Sequence, residues 1–357
     1  MLIKDLSISL EIFSMADYRD IRDEIEEHEK PQQLLSQYEK KLVQSIQKCQ
    51  LKAFHRVLAS GIDPNYCYEH DKYPLHYSTQ SKPAIESDEI FETLLYSGAD
   101  LDVTDRFGTT PLHMAVTTSS QRVISLIEAG CAIDAQDNAG MTALMKACGC
   151  ESPESLVIVQ VLIDSGCNVY IKDESHYTAV HHIILNNKQD NCIRKEILYQ
   201  LIYSGLSPSE PDKQGNMTVH MELLRHLNPS GQLKEDDFLV LQTLVRLGRN
   251  IPSLNKFCTI WIKKILPRAS KSFLIRLFGI FQPVLGLTGL HQLHKLYSES
   301  SNCDQKLIDI VKEYSHNPRT LKSTCRYMIR SVLKERLLLV KDELPLPAVL
   351  KNYLLVQ

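Results

Sequence analysis

The apolar residues of this chain follow a recurring pattern: an apolar pair, two further residues, then a glycine. The pairs Val57-Leu58, Leu94-Leu95, Leu126-Ile127, Leu162-Ile163, Leu201-Ile202 and Leu244-Val245 precede Gly61, Gly98, Gly130, Gly166, Gly205 and Gly248 in this way. Successive glycines lie 37, 32, 36, 39 and 43 residues apart. A glycine just past the last apolar pair of a helix permits the left-handed residue that ends it. Proline, as at Pro74 and Pro111, suits the first turn of a helix, where its missing N–H would have no partner anyway. Each period therefore predicts a turn and two short antiparallel helices. A unit of this size cannot bury its apolar face alone, so the pattern predicts a stack in which each unit packs on its neighbours.

The third unit is the most complete. Asp105, Gly108, Thr110-Pro111-Leu112-His113 and Ala115 open it, and Gly130 closes its second helix. These residues resemble the ankyrin repeat, whose period is about 33 residues. The fourth unit keeps Asp137, Gly140, Thr142 and Leu144, the fifth Asp173, Thr178 and His181, the sixth Asp212, Gly215 and His220, and the second Pro74-Leu75-His76. In the first, only the second helix and its turn are recognisable, as expected where a terminal repeat takes a capping role. Extra length falls between the two helices of a unit, in "STQSKPAIESDE" beyond His76 and "HLNPSGQLKEDD" beyond Leu224, and predicts loops on one rim. His76, His113, His181 and His220 share one position of the repeat, so the resemblance implies a repeated structural role in which the ring bonds neighbouring turns. It also implies a partner surface on the concave side, built from first helices and hairpin tips. The tip candidates are Arg106 and Phe107, Asn138 and Ala139, Glu174 and Ser175, and Lys213 and Gln214. Phe107 stands out, because an aromatic at an exposed tip can anchor an interface.

The stretch from Thr320 onward has a different character. It is too short to close a core of its own, and it reads as half of an interface. Leu321, Cys325, Met328, Ile329, Val332 and Leu333 recur at three- and four-residue spacing, which places them on one stripe of a helix. In Leu344-Pro345-Leu346-Pro347 two prolines fix φ near −65° and hold the leucines extended, with little entropy left to lose on binding. Leu350, Tyr353 and Leu354 then resume helical spacing. This order of features resembles the SOCS box, a three-helix module that recruits a cullin-type ubiquitin ligase. The resemblance implies that Thr320, Leu321, Cys325 and Ile329 dock on elongin C, and that Leu344, Pro345, Leu346, Pro347, Leu350, Tyr353 and Leu354 contact cullin-5. One slot departs from the pattern: Lys341 stands where the family has an apolar residue, with Val340 one position earlier.

Composition narrows the class further. With 43% apolar residues the chain can build buried cores. Its ten cysteines show no paired spacing, and the first residues lead to no apolar signal core, so reduced thiols and a cytoplasmic, or also nuclear, location are expected. Residues 273–290 are apolar but broken by Arg276, Gln282 and Pro283, which fits two buried helices better than a membrane span. Residues 256–341 carry sixteen Lys and Arg against five Asp and Glu, whereas residues 1–255 carry 23 against 36. The acidic part favours a basic partner through long-range steering. The basic part lacks the aromatic interleaving of a nucleic-acid reader. His181, His182 and Cys192 match no standard zinc spacing, and no phosphate loop, RING spacing or activated nucleophile is present.

The sequence is thus identified as a member of the ankyrin repeat and SOCS box family. The expected fold is all-α: a helical lead-in over residues 1–36, about six ankyrin repeats over 37–251, a helical extension over 252–316 and the SOCS box over 317–357. The expected function is that of a non-catalytic substrate receptor, with elongin B, elongin C and cullin-5 with its RING subunit as partners, no cofactor or metal, and no nucleic-acid or membrane partner. A scaffold that bridges or sequesters a partner without recruiting a ligase is the alternative. A third possibility is a receptor that binds elongin but engages cullin poorly, which Lys341 keeps open.

Overall fold

A computed structural model describes residues 31–68, 71–186, 188–208, 210–225 and 238–247. The extension, the SOCS-like segment and most of the lead-in lie outside these. The chain divides into two compact units, which meet in sequence at Cys167 and Asn168. The first holds four helix pairs: α1 (Pro31–Gln47) with α2 (Leu51–Ala59), α3 (Pro74–Gln80) with α4 (Ile85–Tyr96), α5 (Pro111–Ala115) with α6 (Ser120–Glu128), and α7 (Ala143–Gly149) with α8 (Ser155–Asp164). The second holds α9 (Ala179–Leu185) with α10 (Asn191–Tyr203) and α11 (Thr218–Arg225) with α12 (Phe238–Leu247). Among the described residues there is no strand, only an isolated antiparallel bridge between Pro211 and Met217. The fold is all-α, as the sequence predicts.

Packing follows the repeat. In the first unit α1, α3, α5 and α7 pack in succession, as do α2, α4, α6 and α8; in the second, α9 packs on α11 and α10 on α12. The first member of each apolar pair is buried, with Leu94, Leu126, Leu162, Leu201 and Leu244 fully so. The glycines behind the pairs have positive φ in every described case, from 79° at Gly61 to 99° at Gly205. Helix α1 supplies the first helix that the sequence left unrecognised in the first unit, and it straddles the boundary drawn at residue 36. One expected rim loop is absent. Of "STQSKPAIESDE", all but residues 81–84 belongs to α3 or α4. The other expected loop, beyond Leu224, lies largely outside the described residues.

The short linker of residues 81–84 is pinned by a buried cation. Arg122 of α6 is 1% exposed and donates to the Thr79 and Ser81 carbonyls at the end of α3 (3.1 and 2.7 Å). It also donates to Ser87 Oγ and Asp88 Oδ1 at the start of α4 (2.8 and 2.7 Å). A buried charge persists only when paired and fully hydrogen-bonded, and Arg122 meets that condition by capping the carbonyl end of α3 while bonding two side chains at the start of α4. A second buried arginine, Arg194, links helices of the second unit. It donates to the Ile183 and Ile184 carbonyls of α9 and to Glu222 of α11, at 3.0, 3.2 and 3.0 Å.

The repeated histidines join neighbouring turns. His76 Nδ1 accepts from the Tyr73 N–H and His113 Nδ1 from the Thr110 N–H, both at 3.2 Å. The ring proton therefore sits on Nε2, which donates to the carbonyl of Thr109 or Met141 in the next hairpin, both at 2.9 Å. His181 keeps the first half of this arrangement (3.1 Å). Its Nε2 faces the Glu210 backbone without closing a hydrogen bond of normal geometry, and its ring stacks on Tyr177 at 5.2 Å. His220 lies in α11, and its side chain is outside the described set. Burial lowers the pKa of His76 and His113 and brings that of His181 down to about 4.

Two outcomes are expected. Above pH ~6.5 these histidines are neutral in both folded and unfolded chains; below it the unfolded chain gains protons that the folded chain refuses. Stability should therefore fall as pH drops from about 6.5 towards 4, and His181→Gln should flatten that slope in thermal melts. Separately, His176 occupies the left-handed position (φ 62°) that Gly108, Gly140 and Gly215 fill in other hairpins. Because a side chain there costs about 1–2 kcal/mol, His176→Gly should raise stability by about 1 kcal/mol in denaturant titration.

Candidate functional site

The hairpins that carry the predicted contacts are built around one carboxylate each. Asp105 Oδ1 accepts from the N–H groups of Phe107 and Thr109, both at 2.9 Å. Asp137 does so from Ala139 and Met141 (2.9 and 3.0 Å), and Asp173 from Ser175 and Tyr177 (2.8 Å each). Asp212 accepts from Gln214 and Asn216 (2.8 and 2.6 Å). Each turn is closed again by its own backbone, as between Asp105 N–H and the Thr109 carbonyl at 3.1 Å. This leaves the two residues after the aspartate projecting at the tip.

In two of these hairpins the second carboxylate oxygen is held from the first helix of the same repeat. Lys146 pairs with Asp137 at 2.8 Å, and His182 meets Asp173 at 3.0 Å. Burial opposes ionisation of Asp137, but the hydrogen bonds from Lys146, Met141 and Ala139 outweigh it and keep the pKa below the ordinary carboxylate range. These aspartates are structural, and their charge is directed inward.

All the tip candidates are exposed, and they are not equivalent. Arg106 and Phe107 form one tip, where the guanidinium lies 4.6 Å from the ring centroid and Phe107 remains 56% exposed. Asn138, at the next tip, turns back on them. Its backbone N–H donates to the Phe107 carbonyl (3.0 Å) and its side-chain Nδ2 to the Arg106 carbonyl (3.1 Å). Gly108 makes this approach possible, since a Cβ there would stand 2.5 Å from Asn138 Oδ1. In the second unit Lys213 repeats only the backbone bond, to the Ser175 carbonyl at 3.1 Å. Glu174 and Lys213 are exposed charges on those tips. The sequence placed Asn138 among the contacts but did not reveal that it clamps its neighbour. Its place directly after the hairpin aspartate, opposite a glycine one repeat earlier, is the signal that could have shown it.

The predicted elongin residues Thr320, Leu321, Cys325 and Ile329 lie outside the described residues. So do the predicted cullin residues Leu344, Pro345, Leu346, Pro347, Leu350, Tyr353 and Leu354. Residues 273–290 lie outside them as well; among the described residues no helix is long and apolar enough to cross a membrane.

Comparison with known proteins bears on both ends of the chain. Residues 75–173 match the family model of ankyrin repeats, in three copies, and residues 317–355 match that of the SOCS box. The chain is 25% identical over 187 residues to SH3 and multiple ankyrin repeat domains protein 2 of Homo sapiens, covering 51% of this chain and 9% of that protein. It is 30% identical over 113 residues to the nuclear factor NF-kappa-B p105 subunit of Gallus gallus, covering 30% and 11% respectively. It is 29% identical over 127 residues to the B-cell lymphoma 3 protein homolog of Mus musculus, covering 35% and 28%. The chain thus spans less than a third of the length of each of these relatives.

The geometry separates a contact residue from a folding residue in adjacent positions. Phe107→Ala should leave the unfolding free energy nearly unchanged in denaturant titration, within about 0.5 kcal/mol, because the ring is exposed. Gly108→Ala should cost about 2 kcal/mol or more, because it combines a left-handed φ of 72° with the Asn138 clash.

Proposed function

Since the chain is an ankyrin repeat and SOCS box protein, we propose that it is the substrate-recognition subunit of an elongin B/C and cullin-5 ubiquitin ligase. The observation that carries this reading is the pairing, in one chain, of ankyrin repeats at residues 75–173 with a SOCS box at residues 317–355. Both are non-catalytic, adaptor-type modules. The ankyrin tips take the target, with Arg106 and Phe107 at the centre of that surface and Glu174 and Lys213 as further contacts. Thr320, Leu321, Cys325 and Ile329 dock on elongin C. The segment from Leu344 to Leu354 meets cullin-5, whose RING subunit brings the charged ubiquitin-conjugating enzyme.

The receptor's contribution is physical. By holding target and conjugating enzyme on one frame it raises the effective concentration of target lysines at the thioester, as any tether does. A frame suited to this task needs ordered tips, which the hydrogen bonds to the hairpin carboxylates favour.

The two docking contacts should separate by mutation. Leu321→Pro breaks the helix and Cys325→Phe overfills a small pocket, so together they should abolish elongin capture in pull-downs with purified elongins B and C. Leu344→Ala with Pro345→Ala should leave elongin capture intact and weaken cullin-5 binding about tenfold or more. Equal loss of both partners from the second pair of changes would assign the tail a structural role instead.

A further inference from the structure

We propose that residues 83–171, the core of the target-binding frame, are kept without a usable ubiquitin acceptor, so that the ligase modifies its target and not this part of its own receptor. The inference rests on the ligase reading given above. Residues 83–171 contain one lysine, Lys146, although the whole chain of 357 residues contains 25. This stretch makes up most of the three ankyrin copies at residues 75–173. Its other cations are Arg106 and Arg122, and a guanidinium stays protonated and does not serve as an acyl acceptor.

The one lysine is poorly presented. Lys146 Nζ lies 2.8 Å from Asp137 Oδ2, and its side chain is 20% exposed. That carboxylate is itself fixed by the Ala139 and Met141 N–H groups, so the amine is held at the base of a hairpin. In ubiquitin transfer a lysine Nε that has lost its ammonium proton to water attacks the thioester carbonyl. The amide C–N bond forms, the C–S bond breaks, and the cysteine of the conjugating enzyme leaves as thiolate. Lys146 reaches such a carbonyl only by breaking its ion pair, whereas an exposed lysine is held weakly by surface acids.

Folding does not account for the scarcity of lysine. The same stretch carries thirteen Asp and Glu. In α4, Glu86, Asp88, Glu89 and Glu92 stand at three- and four-residue spacing, where interspersed lysines would turn repulsion into attraction. Asp88 is paired with Arg122 and Glu89 lies 3.9 Å from His55, so cations other than lysine serve this face. Exposed positions that tolerate any polar side chain, such as Gln121 and Glu128 of α6, are likewise filled without lysine.

The test reconstitutes self-conjugation with the full chain bound to elongins B and C and to cullin-5 with its RING subunit, supplied with activating enzyme, conjugating enzyme and ubiquitin. Modified lysines are mapped by the diglycine remnant in tryptic peptides. In the wild type, conjugates should fall on lysines outside residues 83–171, with Lys146 unmodified. Gln121→Lys and Glu128→Lys each place a lysine at an exposed position, and conjugation there should exceed that at Lys146 by about tenfold or more, since a tether presents the accessible amines of the receptor at high effective concentration. Gln121→Arg and Glu128→Arg make the same charge changes without an acceptor and should match the wild type; thermal melts of all four variants control for folding. Conjugation of Lys146 as fast as of the outer lysines, or introduced lysines left unmodified in both variants, would overturn the inference. Equal changes in the Lys and Arg variants would overturn it too, by assigning the scarcity to charge. Elongin and cullin-5 capture, measured on the same samples, separates the two readings. A wild type that captures neither contradicts the ligase reading and this inference with it, whereas intact capture with both introduced lysines unmodified removes this inference alone.

Discussion

The structure depends above all on one buried carboxylate per hairpin. A tight turn exposes N–H groups that would be costly to leave unpaired, and in each of four hairpins the aspartate collects two of them on a single oxygen. Once the turn is fixed, the first helix starts at a defined place and its cap is set, and in the repeat opened by Asp105 the histidine three residues in bonds the following hairpin. Order therefore propagates by short contacts within each unit and needs no sheet or disulfide. The buried arginines Arg122 and Arg194 add a second system of links, tying helix ends that the turns do not reach. Their cost in desolvation is offset only because each guanidinium meets several acceptors.

This economy also frees the tips. Because the aspartate satisfies the turn from inside, the next two residues are not needed by the turn itself, and, Asn138 with its clamp apart, their side chains vary from Arg106 and Phe107 to Glu174 and Ser175 on the same backbone. Variation on a fixed frame is what a receptor requires, since specificity changes need not disturb stability. The exchange of glycine for His176 in one hairpin shows the limit. There the frame itself carries strain, at a φ of 62°, while the turn hydrogen bonds persist.

Much of this was legible in the sequence, for physical reasons. The apolar pair with its glycine reports both the buried stripe and the helix end, so the second helices could be placed without coordinates. The Thr-Pro-Leu-His run reports a cap, a first turn and a bridging ring together. What was hidden has equally specific causes. Helix α1 carries no such run, so its pairing with α2 emerges only from packing. Arg122 looks like any surface arginine, because burial of a charge depends on acceptors 34 to 43 residues away. The stretch beyond His76 reads as loop from its Ser, Pro and Lys content, yet most of it extends α3 and α4. At the site, Phe107 was apparent as an aromatic at a turn. The clamp on it was not, since it needs the distance between two tips.

The central claim is that one chain joins a target-binding frame to a ligase-docking segment. Its most direct test is the mass, by light scattering after size exclusion, of the full-length chain co-expressed with elongins B and C. The account predicts one monodisperse species with the mass of a one-to-one-to-one complex. A chain that elutes alone, at its own mass of 40.7 kDa, with both elongins in separate fractions, would contradict it.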